Sequence, residues 1–276
     1  MSDPLISIIT PVYNGQAKIK ATLDSVLSQK SDLFEYLVID GGSTDGTLEE
    51  LRSRGDRLKW ISEPDRGIYD AMNKGVDRAT GSYVYFLGAG DILRPGVLET
   101  IAPLLPLDGT FLVYGDVFWV SPDPPYGGAI YGGAADRRRM ALGFLNHQSI
   151  FYSARIFENR RYDLRYKIVS DHVFNIVCFG DNRIQKMYVP VVVADYEGGG
   201  TSATVRDTQF ERDHVKLVAR HLGLGYAVLV ALPRAKHRGA SLLALLRYLV
   251  TRSPVYLAGR VLWHLKRKLG QNRPDR

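Results

Sequence analysis

The chain has 276 residues, of which 45% are hydrophobic and 24% are charged. This composition is typical of a folded globular protein and excludes a disordered chain. The formal net charge is +7, but residues 234–276 hold 11 Lys and Arg against one acid, so the rest of the chain is slightly acidic. A protein that binds nucleic acid normally has a basic face on its folded part. Because residues 1–233 are slightly acidic by count, we expect no nucleic-acid partner.

The cysteine content and the apolar runs exclude two further classes. One cysteine, Cys178, rules out an intramolecular disulfide and a multi-thiolate zinc site, and it favours a reducing, cytoplasmic setting. The longest uncharged apolar run, 222–233, has 12 residues, which is too short for a membrane span. A signal peptide is not expected, because Asp3 and Pro4 precede only a short apolar run.

Short apolar runs alternate with helical patterns over the first 120 residues. The predicted strands are Leu5–Thr10, Tyr36–Asp40, Leu58–Ser62, Tyr83–Leu87 and Leu112–Asp116. The first predicted helix is Gln16–Gln29, where Ile19, Leu23, Val26 and Leu27 form one buried stripe. The others are a second around Leu48 and Leu51 with Ser43 or Thr44 as N-cap, a third over Ile68–Ala79 and a fourth with Pro95 at its first position. This alternation predicts an α/β fold with a mostly parallel sheet, whose ligands bind beyond the carboxyl ends of the strands.

The second half of the chain has a more irregular pattern. The Pro- and Gly-rich stretch 122–135 predicts a hairpin or a loop. It is followed by predicted helices at Arg137–Phe144 and Asp171–Phe179, predicted strands at Ser149–Tyr152 and Met187–Ala194, and a last helix over Asp207–His221. We expect this last helix to close the compact part of the protein.

The basic tail, residues 234–276, shows two leucine stripes at helical spacing. The first has Leu242, Leu245, Leu246 and Leu249, and the second has Ala258, Val261, Leu262, Leu265 and Leu269 with basic residues opposite. Two such amphipathic helices suit the surface of an anionic bilayer. The alternative is that the stripes pack on the body of the protein, or on a second subunit in a homo-oligomer.

The strand ends lack the common phosphate-binding loops. After the first strand the chain reads PVYNG, without the G-x-G-x-x-G of dinucleotide sites, and no Walker lysine motif occurs anywhere. For a nucleotide bound at these strand ends, a metal ion that bridges the phosphates is the usual substitute for such a loop.

Four blocks in order, ISIITPVYNG, YLVIDGGSTDGT, EPDRGIYDAMNKGVDRATGSYVYFLGAGD and YKIVSDHVF, resemble family 2 of the inverting, nucleotide-sugar-dependent glycosyltransferases. The resemblance covers residues 5–202. It implies the GT-A fold, a Rossmann-like α/β sheet, and transfer of a sugar from a nucleoside-diphosphate sugar to a lipid-linked glycan, glycolipid or polysaccharide. It also implies a nucleotide-sugar half (1–120) and an acceptor half (121–222). The basic, amphipathic extension (223–276) predicts that the protein is peripheral on the inner face of the cell membrane.

The resemblance implies a set of donor-binding residues at the strand ends. They are Pro11, Tyr13, Asn14, Asp40, Gly42, Asp65, Arg66, Asp70, Asn73, Lys74 and Gly90. Gly41 stands where the family has a second acid after the second strand, which puts uridine specificity in doubt. Ser43 and Asp45 are equally consistent with helix capping, and Asp70 with Lys74 is consistent with a local ion pair on a solvated helix face.

The metal motif departs most from the family pattern. The family has several acids after the fourth strand, whereas this chain has Gly88 and Gly90 and a single carboxylate, Asp91. One carboxylate with phosphate oxygens and water can hold Mg²⁺ or Mn²⁺, so Asp91 is the predicted metal ligand. The alternative is that Asp91 caps the next helix, and Asp116 is a lower-ranked second carboxylate.

Asp171 matches the family acid that faces the acceptor, and the resemblance makes it the catalytic base. Inversion needs a carboxylate that takes the proton of the attacking hydroxyl; the alternative role is a helix-start acid stabilised by the macrodipole. His147 and Gln148 match a polar pair beside the acceptor cleft. The glycine run 198–200 with Thr201 and Ser202 resembles a loop near the donor phosphates, or is a plain linker.

Two other functions remain open on the sequence alone. A sugar-1-phosphate nucleotidyltransferase shares this fold logic, but it would need a Gly-rich, basic first turn that PVYNG lacks. A scaffold that has lost its activity is suggested by Gly88 and Gly90 in place of acids.

Overall fold

One sheet of nine strands runs through the part of the chain that the computed structural model describes, residues 3–121, 127–198 and 205–237. The strands are β1 (Ile6–Val12), β2 (Phe34–Asp40), β3 (Lys59–Ser62), β4 (Tyr83–Phe86), β5 (Ile92–Leu93), β6 (Phe111–Trp119), β7 (Ala129–Tyr131), β8 (Ile150–Ser153) and β9 (Gln185–Tyr196). Their order is β3-β2-β1-β4-β8-β6-β9-β5, and β7 pairs with β6. Both predicted halves, 1–120 and 121–222, contribute strands to this sheet.

Helices flank the sheet, which confirms the predicted α/β class. They are α1 (Gln16–Leu27), α2 (Thr47–Arg52), α3 (Ile68–Val76), α4 (Val97–Ile101), α5 (Arg137–Leu142), α6 (Ser170–Gly180), α7 (Thr208–His221) and α8 (Leu224–His237). The predicted stripe on α1 is buried: Ile19, Leu23 and Val26 have no exposed surface. Burial of one apolar stripe is what holds an amphipathic helix against a sheet.

Alternate residues of each central strand enter two separate apolar cores. Ile8 and Tyr85 belong to one core, while their chain neighbours Ile9 and Phe86 belong to the other. Side chains of a strand point alternately to its two faces, so the two cores lie on opposite sides of the sheet. A sheet covered on both faces explains why these strands are apolar throughout.

The first half of the sheet is parallel and the second half is mixed. β3, β2, β1 and β4 pair in parallel, as the sequence predicts. The short strand β8 then lies between β4 and β6 and is antiparallel to both, while β9 is parallel to β6. Because β8 runs the other way, its start lies at the edge where β1, β2 and β4 end, and the residues just before Ile150 join that edge.

Two local predictions are wrong. Helix α2 begins at Thr47 after Gly46 and has no side-chain cap, so neither Ser43 nor Thr44 is its N-cap. Helix α4 begins at Val97, after Gly96 in a left-handed conformation (φ +67°), so Pro95 lies in the preceding turn. A glycine adopts that conformation without steric cost, which lets the chain turn sharply into the helix.

The compact part extends past the predicted end at His221. Helix α8 packs on the body, and its Ala227, Val230 and Ala231 are buried in the same core as residues of α6 and α7. The first part of the predicted extension, 223–276, is therefore part of the folded body. The leucine stripes beyond His237 and the run 199–202 lie outside the described residues. Over the described ranges, no helix combines the length and the apolar character that crossing a membrane requires.

Candidate active site

The carboxyl edge of the sheet gathers residues from distant parts of the chain. The loops that follow β1, β2 and β4 lie there. The short 3-10 turn His147–Ser149 before β8 and Glu197 after β9 lie there too. Asp171, in the first turn of α6, reaches the same turn through His147. Sequence-distant acids thus meet around one turn of the chain.

Asp171 is held by two side chains. Its Oδ2 lies 3.1 Å from Nδ1 of His147, and its Oδ1 lies 2.7 Å from the hydroxyl of Tyr69. The same hydroxyl lies 2.7 Å from the carbonyl oxygen of Ile168, so its single proton is shared between two acceptors. Asp171 and His147 keep about one sixth of their side-chain surface exposed, at 16% and 17%.

These contacts fix the charge of Asp171. Burial alone would raise the pKa of its carboxyl, but the hydrogen bond and charge of His147 and the hydrogen bond of Tyr69 outweigh burial, and the pKa lies below its ordinary value. Asp171 is therefore an ionised carboxylate at neutral pH.

Asp91 is buried, and it contacts Gln148, the next residue of the same turn. Its Oδ2 accepts a hydrogen bond from Nε2 of Gln148 at 2.5 Å, and its Oδ1 accepts one from the backbone N–H of Glu197 at 3.0 Å. Burial raises the pKa of the Asp91 carboxyl, and the charge of Glu197 adds to this, although both hydrogen bonds oppose it. Consecutive residues of one turn, His147 and Gln148, therefore contact the predicted base and the predicted metal ligand.

The glycines that replace family acids leave room for other carboxylates. A Cβ at Gly88 would lie 2.8 Å from Oδ2 of Asp91, and one at Gly90 would lie 2.5 Å from Oε2 of Glu197. Gly90 also has a φ of +109°, which a larger residue would adopt only with strain. Glu197 itself is half-exposed and pairs with Nζ of Lys18 at 2.6 Å.

The donor set at this position fits a hard divalent cation. Asp91 is a buried carboxylate that accepts from the backbone N–H of Glu197, and the half-exposed carboxylate of Glu197 lies where a side chain at Gly90 would begin. Mg²⁺ and Mn²⁺ are commonly held by one or two carboxylates, with phosphate oxygens and water completing the shell. The described residues contain no group of three or more His, Cys, Asp or Glu that could hold a metal without such help.

Asp116, the lower-ranked second carboxylate, belongs to a different network. Its Oδ1 accepts from the backbone N–H of Gly133 at 2.6 Å and its Oδ2 from the hydroxyl of Tyr188 at 3.0 Å. It therefore ties β6 to the segment after β7 and to β9, and its partners, Gly133 and Tyr188, differ from those of Asp91.

Asp40 supports the nucleotide loop from inside the protein. It has no exposed surface, and its carboxylate accepts from the backbone N–H groups of Gly42 and Ser43 and from the hydroxyls of Ser43 and Ser62. The predicted direct contact between Asp40 and a nucleoside does not fit this arrangement. The carboxylate instead fixes the loop that carries Gly41 and Gly42, which has a φ of +86°.

The first loop is tied to the second. The backbone N–H of Asn14 donates to the hydroxyl of Ser43 at 2.7 Å, and its Oδ1 accepts from the backbone N–H of Thr44 at 2.9 Å. Asp45 binds the backbone N–H groups of Gln16 and Thr47, a structural role of the capping kind. Pro11 is buried in β1, whereas the neighbouring ring of Tyr13 is 64% exposed. Tyr13 is thus available for stacking on a flat ligand.

Asp65 lies over Gly41. A Cβ at Gly41 would be 2.5 Å from Oδ2 of Asp65 and 3.4 Å from the ring of Tyr13, while Oδ1 of Asp65 accepts from the backbone N–H of Gly67 at 2.7 Å. The acid that the family has at position 41 would displace the carboxylate of Asp65. The carboxylate of Asp65 supplies an acceptor at the same place.

The predicted donor face of α3 is occupied by contacts within the protein. Asp70 pairs with Arg66 at 3.0 Å, and Lys74 with Glu63 at 3.0 Å and with the carbonyl oxygen of Pro64 at 2.8 Å. Asn73 binds both backbone groups of Tyr162. Asp70 and Lys74 thereby hold the loop that carries Asp65 and Arg66, and the guanidinium of Arg66 is the most exposed charged group of this set (73%).

Sequence reasoning missed two residues of the site, Tyr69 and Glu197. Tyr69 is the chain neighbour of Asp70, one of the predicted donor-binding residues. An aromatic side chain in an apolar helix pattern gives no sign of a partner in α6. Glu197 follows the predicted strand Met187–Ala194, and the feature predicted beyond that strand is the glycine run 198–200. Its position directly after β9 was the available signal, because strand ends are where ligands bind.

A profile of the family described as Glycosyl transferase family 2 matches residues 7–171. A PGL/p-HBAD biosynthesis glycosyltransferase of Mycobacterium tuberculosis (strain ATCC 25618 / H37Rv) is 38% identical over 244 residues, which cover 85% of this chain and 91% of that protein. The putative teichuronic acid biosynthesis glycosyltransferase TuaG of Bacillus subtilis (strain 168) is 38% identical over 100 residues, covering 35% of this chain and 40% of that one.

Two solved structures share the fold. TarS 1–349 of S. aureus, in complex with UDP-GlcNAc, has a TM-score of 0.64 at 17% identity, covering 86% of this chain and 73% of that chain. The mannosyltransferase PcManGT of Pyrobaculum calidifontis, in complex with GDP-Man and Mn²⁺, has a TM-score of 0.55 at 17% identity, covering 98% and 86%. At this identity the likeness concerns the fold.

Proposed function

Because the chain belongs to glycosyltransferase family 2, we propose that it transfers one sugar, with inversion, from a nucleoside-diphosphate sugar to a glycolipid, a lipid-linked glycan or a polysaccharide. The observation that carries this proposal is the turn His147–Ser149, whose first two residues contact Asp171 and Asp91. This turn contacts the ionised carboxylate of Asp171, which we assign to the acceptor side. It also contacts Asp91, which we assign, with Glu197, to the diphosphate side. That spacing suits two substrates that react at one carbon.

The proposed donor site is the loop pair after β1 and β2. The exposed ring of Tyr13 offers a stacking surface to the base, and Oδ2 of Asp65 offers an acceptor to a base N–H beside it. Asn14, Asp40, Gly42, Asp70, Asn73 and Lys74 act by holding these loops in place. Arg66 is free enough to reach a phosphate. The solved neighbours bound to UDP-GlcNAc and GDP-Man support a nucleotide sugar as donor.

The proposed chemistry needs a proton acceptor on one side and a charge partner on the other. Asp171 is the carboxylate that drives removal of the proton from the attacking hydroxyl, and general-base catalysis of this kind supplies on the order of 10²–10⁴-fold in rate. Asp91 and Glu197 are the residues that would hold Mg²⁺ or Mn²⁺. When bound, such a cation offsets the charge that develops on the departing diphosphate.

The proposed acceptor side includes His147 and Gln148. Relatives named for PGL/p-HBAD biosynthesis and for teichuronic acid biosynthesis support an acceptor of the glycolipid or polysaccharide class. The basic tail, 234–276, would place the enzyme at an anionic membrane surface where a lipid-linked acceptor resides. The tail has two competing roles, contact with the body and contact with a second subunit. The second of these predicts a homo-oligomer.

The test is a panel of nucleoside-diphosphate sugars, with and without Mn²⁺ or Mg²⁺, scored by thermal stabilisation and then by transfer to glycolipid acceptors. A donor that binds the native state raises the free energy of unfolding by RT ln(1 + [L]/Kd). We expect one donor to stabilise the protein and to yield a product of inverted anomeric configuration. Stabilisation by none, or release of pyrophosphate from a nucleoside triphosphate and a sugar phosphate, would overturn the proposal.

A further inference from the structure

The imidazole of His147 has one engaged nitrogen and one that is not engaged. Nδ1 lies 3.1 Å from Oδ2 of Asp171. An ionised carboxylate only accepts hydrogen bonds, so Nδ1 carries a proton, and Nε2 is the nitrogen at which the imidazole can gain or lose a second one. Within the described part of the chain, Nε2 is buried and has no hydrogen-bond partner. A buried acceptor without a partner costs free energy, which a native protein retains where a ligand or a reaction uses the atom.

We propose that Nε2 of His147 is the atom that takes the proton from the acceptor hydroxyl, and that Asp171 acts through the imidazole as a positioning residue. This inference rests on the proposed function and assigns the base of that reaction. It places the catalytic atom one residue away from Gln148, which holds the donor-side carboxylate. Part of the ring borders solvent, since 17% of the side chain is exposed, and acceptor binding must uncover Nε2 itself.

The surroundings of Asp171 favour this route over direct attack on the hydroxyl proton by the carboxylate. Both of its oxygens already accept a hydrogen bond, one from Tyr69 and one from His147. The same contacts lower its pKa, and a carboxylate that is stabilised in its ionised form is a weaker base. Imidazole is the side-chain group whose ordinary pKa lies nearest neutrality, where a general base is most effective.

The proposed step balances in atoms and charge. The acceptor O–H bond breaks, its proton moves to Nε2, and the oxygen forms the new bond to the anomeric carbon. The bond from that carbon to the diphosphate oxygen breaks, and its electron pair leaves on the diphosphate. The imidazolium that results is paired with the carboxylate of Asp171, to which Nδ1 donates its hydrogen bond throughout. After product release, Nε2 returns the transferred proton to solvent.

The decisive variant is His147→Asn. Its side-chain amide can still donate to Asp171 from the place of Nδ1, but it has no basic nitrogen in the place of Nε2. We expect kcat to fall by about 10²–10⁴-fold, with the donor KM and the thermal stabilisation by donor close to those of the wild type. His147→Ala should lose as much activity, and added imidazole should restore at least tenfold of it, because the free base can enter the space that the ring vacates.

The outcomes separate this inference from the proposed function. Transfer by the His147→Asn variant within about threefold of the wild-type kcat would overturn it and make Asp171 the direct base. Failure of imidazole to restore activity to His147→Ala, in protein that binds donor normally, would also overturn it. If the wild type binds no donor and transfers no sugar, the proposed function itself fails, and that result is read from the wild type alone.

Discussion

Gln148 donates a hydrogen bond from Nε2 to Oδ2 of Asp91 at 2.5 Å, and both side chains are buried. The partner of Asp91 is therefore the chain neighbour of His147, the partner of Asp171. A displacement of this one turn would disturb both ends of the proposed reaction at once. The carboxylates that the sequence assigns to donor and acceptor are coupled through the single peptide unit that joins His147 and Gln148.

Replacing Gln148 with Met should cost stability as well as activity. Met keeps the size of the side chain but removes the donor, which leaves one oxygen of a buried carboxylate without its partner. We expect the free energy of unfolding, measured with urea, to fall by about 1–3 kcal/mol. Gln209→Met is the matched control, because Gln209 donates to Asp213 at 2.6 Å in α7, where the acid also accepts from Tyr166. Equal losses in the two variants would contradict a special role for Gln148.

Replacing Glu197 with Gln should weaken metal binding. The half-exposed carboxylate of Glu197 lies where a side chain at Gly90 would begin, next to Asp91, and the neutral amide is a poorer ligand for Mn²⁺. We expect the Kd for Mn²⁺ in the presence of nucleoside diphosphate, measured by electron paramagnetic resonance, to rise about tenfold or more. Glu49→Gln, which removes an exposed partner of Arg52, should leave that Kd unchanged. An unaltered Kd in the Glu197 variant would remove this residue from the metal site.

Replacing Gly41 with Ala should lower donor affinity more than stability. The new methyl group would lie 2.5 Å from Oδ2 of Asp65, and this carboxylate can rotate away at small cost to the fold. A base that needs Oδ2 would then lose its acceptor, so we expect the Kd for the donor, measured by calorimetry, to rise about tenfold (about 1.4 kcal/mol).

The control for Gly41 is Gly225→Ala in α8, where a Cβ meets nothing within 4 Å. This change should leave donor binding as it is. Donor affinity that is equal in the Gly41→Ala variant and the wild type would show that Asp65 does not contact the base.

The stabilising effect of Asp171 should disappear in acid. Its pKa in the folded protein is lowered, because the contacts from His147 and Tyr69 outweigh the effect of burial, so the ionised form adds stability above the ordinary aspartate pKa of about 3.9. That contribution is lost as the pH falls through the lowered folded value. We expect the difference in free energy of unfolding between wild type and Asp171→Asn to be constant above about pH 5 and to shrink below about pH 4. A difference that grows toward acid would mean that burial dominates.

The strands and the stripe on α1 could be predicted because periodicity is a property of adjacent residues. The insertion of β8 between β4 and β6 could not, since pairing order depends on the whole chain. The same limit applies to the site. Asp171 and Asp91 could be selected one at a time, whereas the contacts of His147 and Gln148 with them required the sheet order. Asp40 and Asn73 were predicted to bind donor, and their side chains turned out to bind the backbone of neighbouring segments.

Removing residues 238–276 should abolish binding to anionic vesicles. The structure moves the cut from residue 234 to after His237, the last described residue of α8, because α8 packs on the body. The removed segment holds nine Lys and Arg and one acid, and each basic residue near an anionic surface contributes about 1 kcal/mol. We expect the full chain to sediment with phosphatidylglycerol vesicles at low salt and to be released as salt rises, while the shortened chain stays in solution.

A second variant separates charge from folding. Changing Arg260, Lys266, Arg267 and Lys268 to Gln keeps the leucine stripe, so it should weaken vesicle binding while leaving donor binding intact. If the tail instead packs on a second subunit, the shortened chain should change its sedimentation coefficient and its oligomeric state. Vesicle binding that is equal in the full and the shortened chain would show that the membrane contact, where it exists, lies on the folded body, because nothing else of the protein would remain to make it.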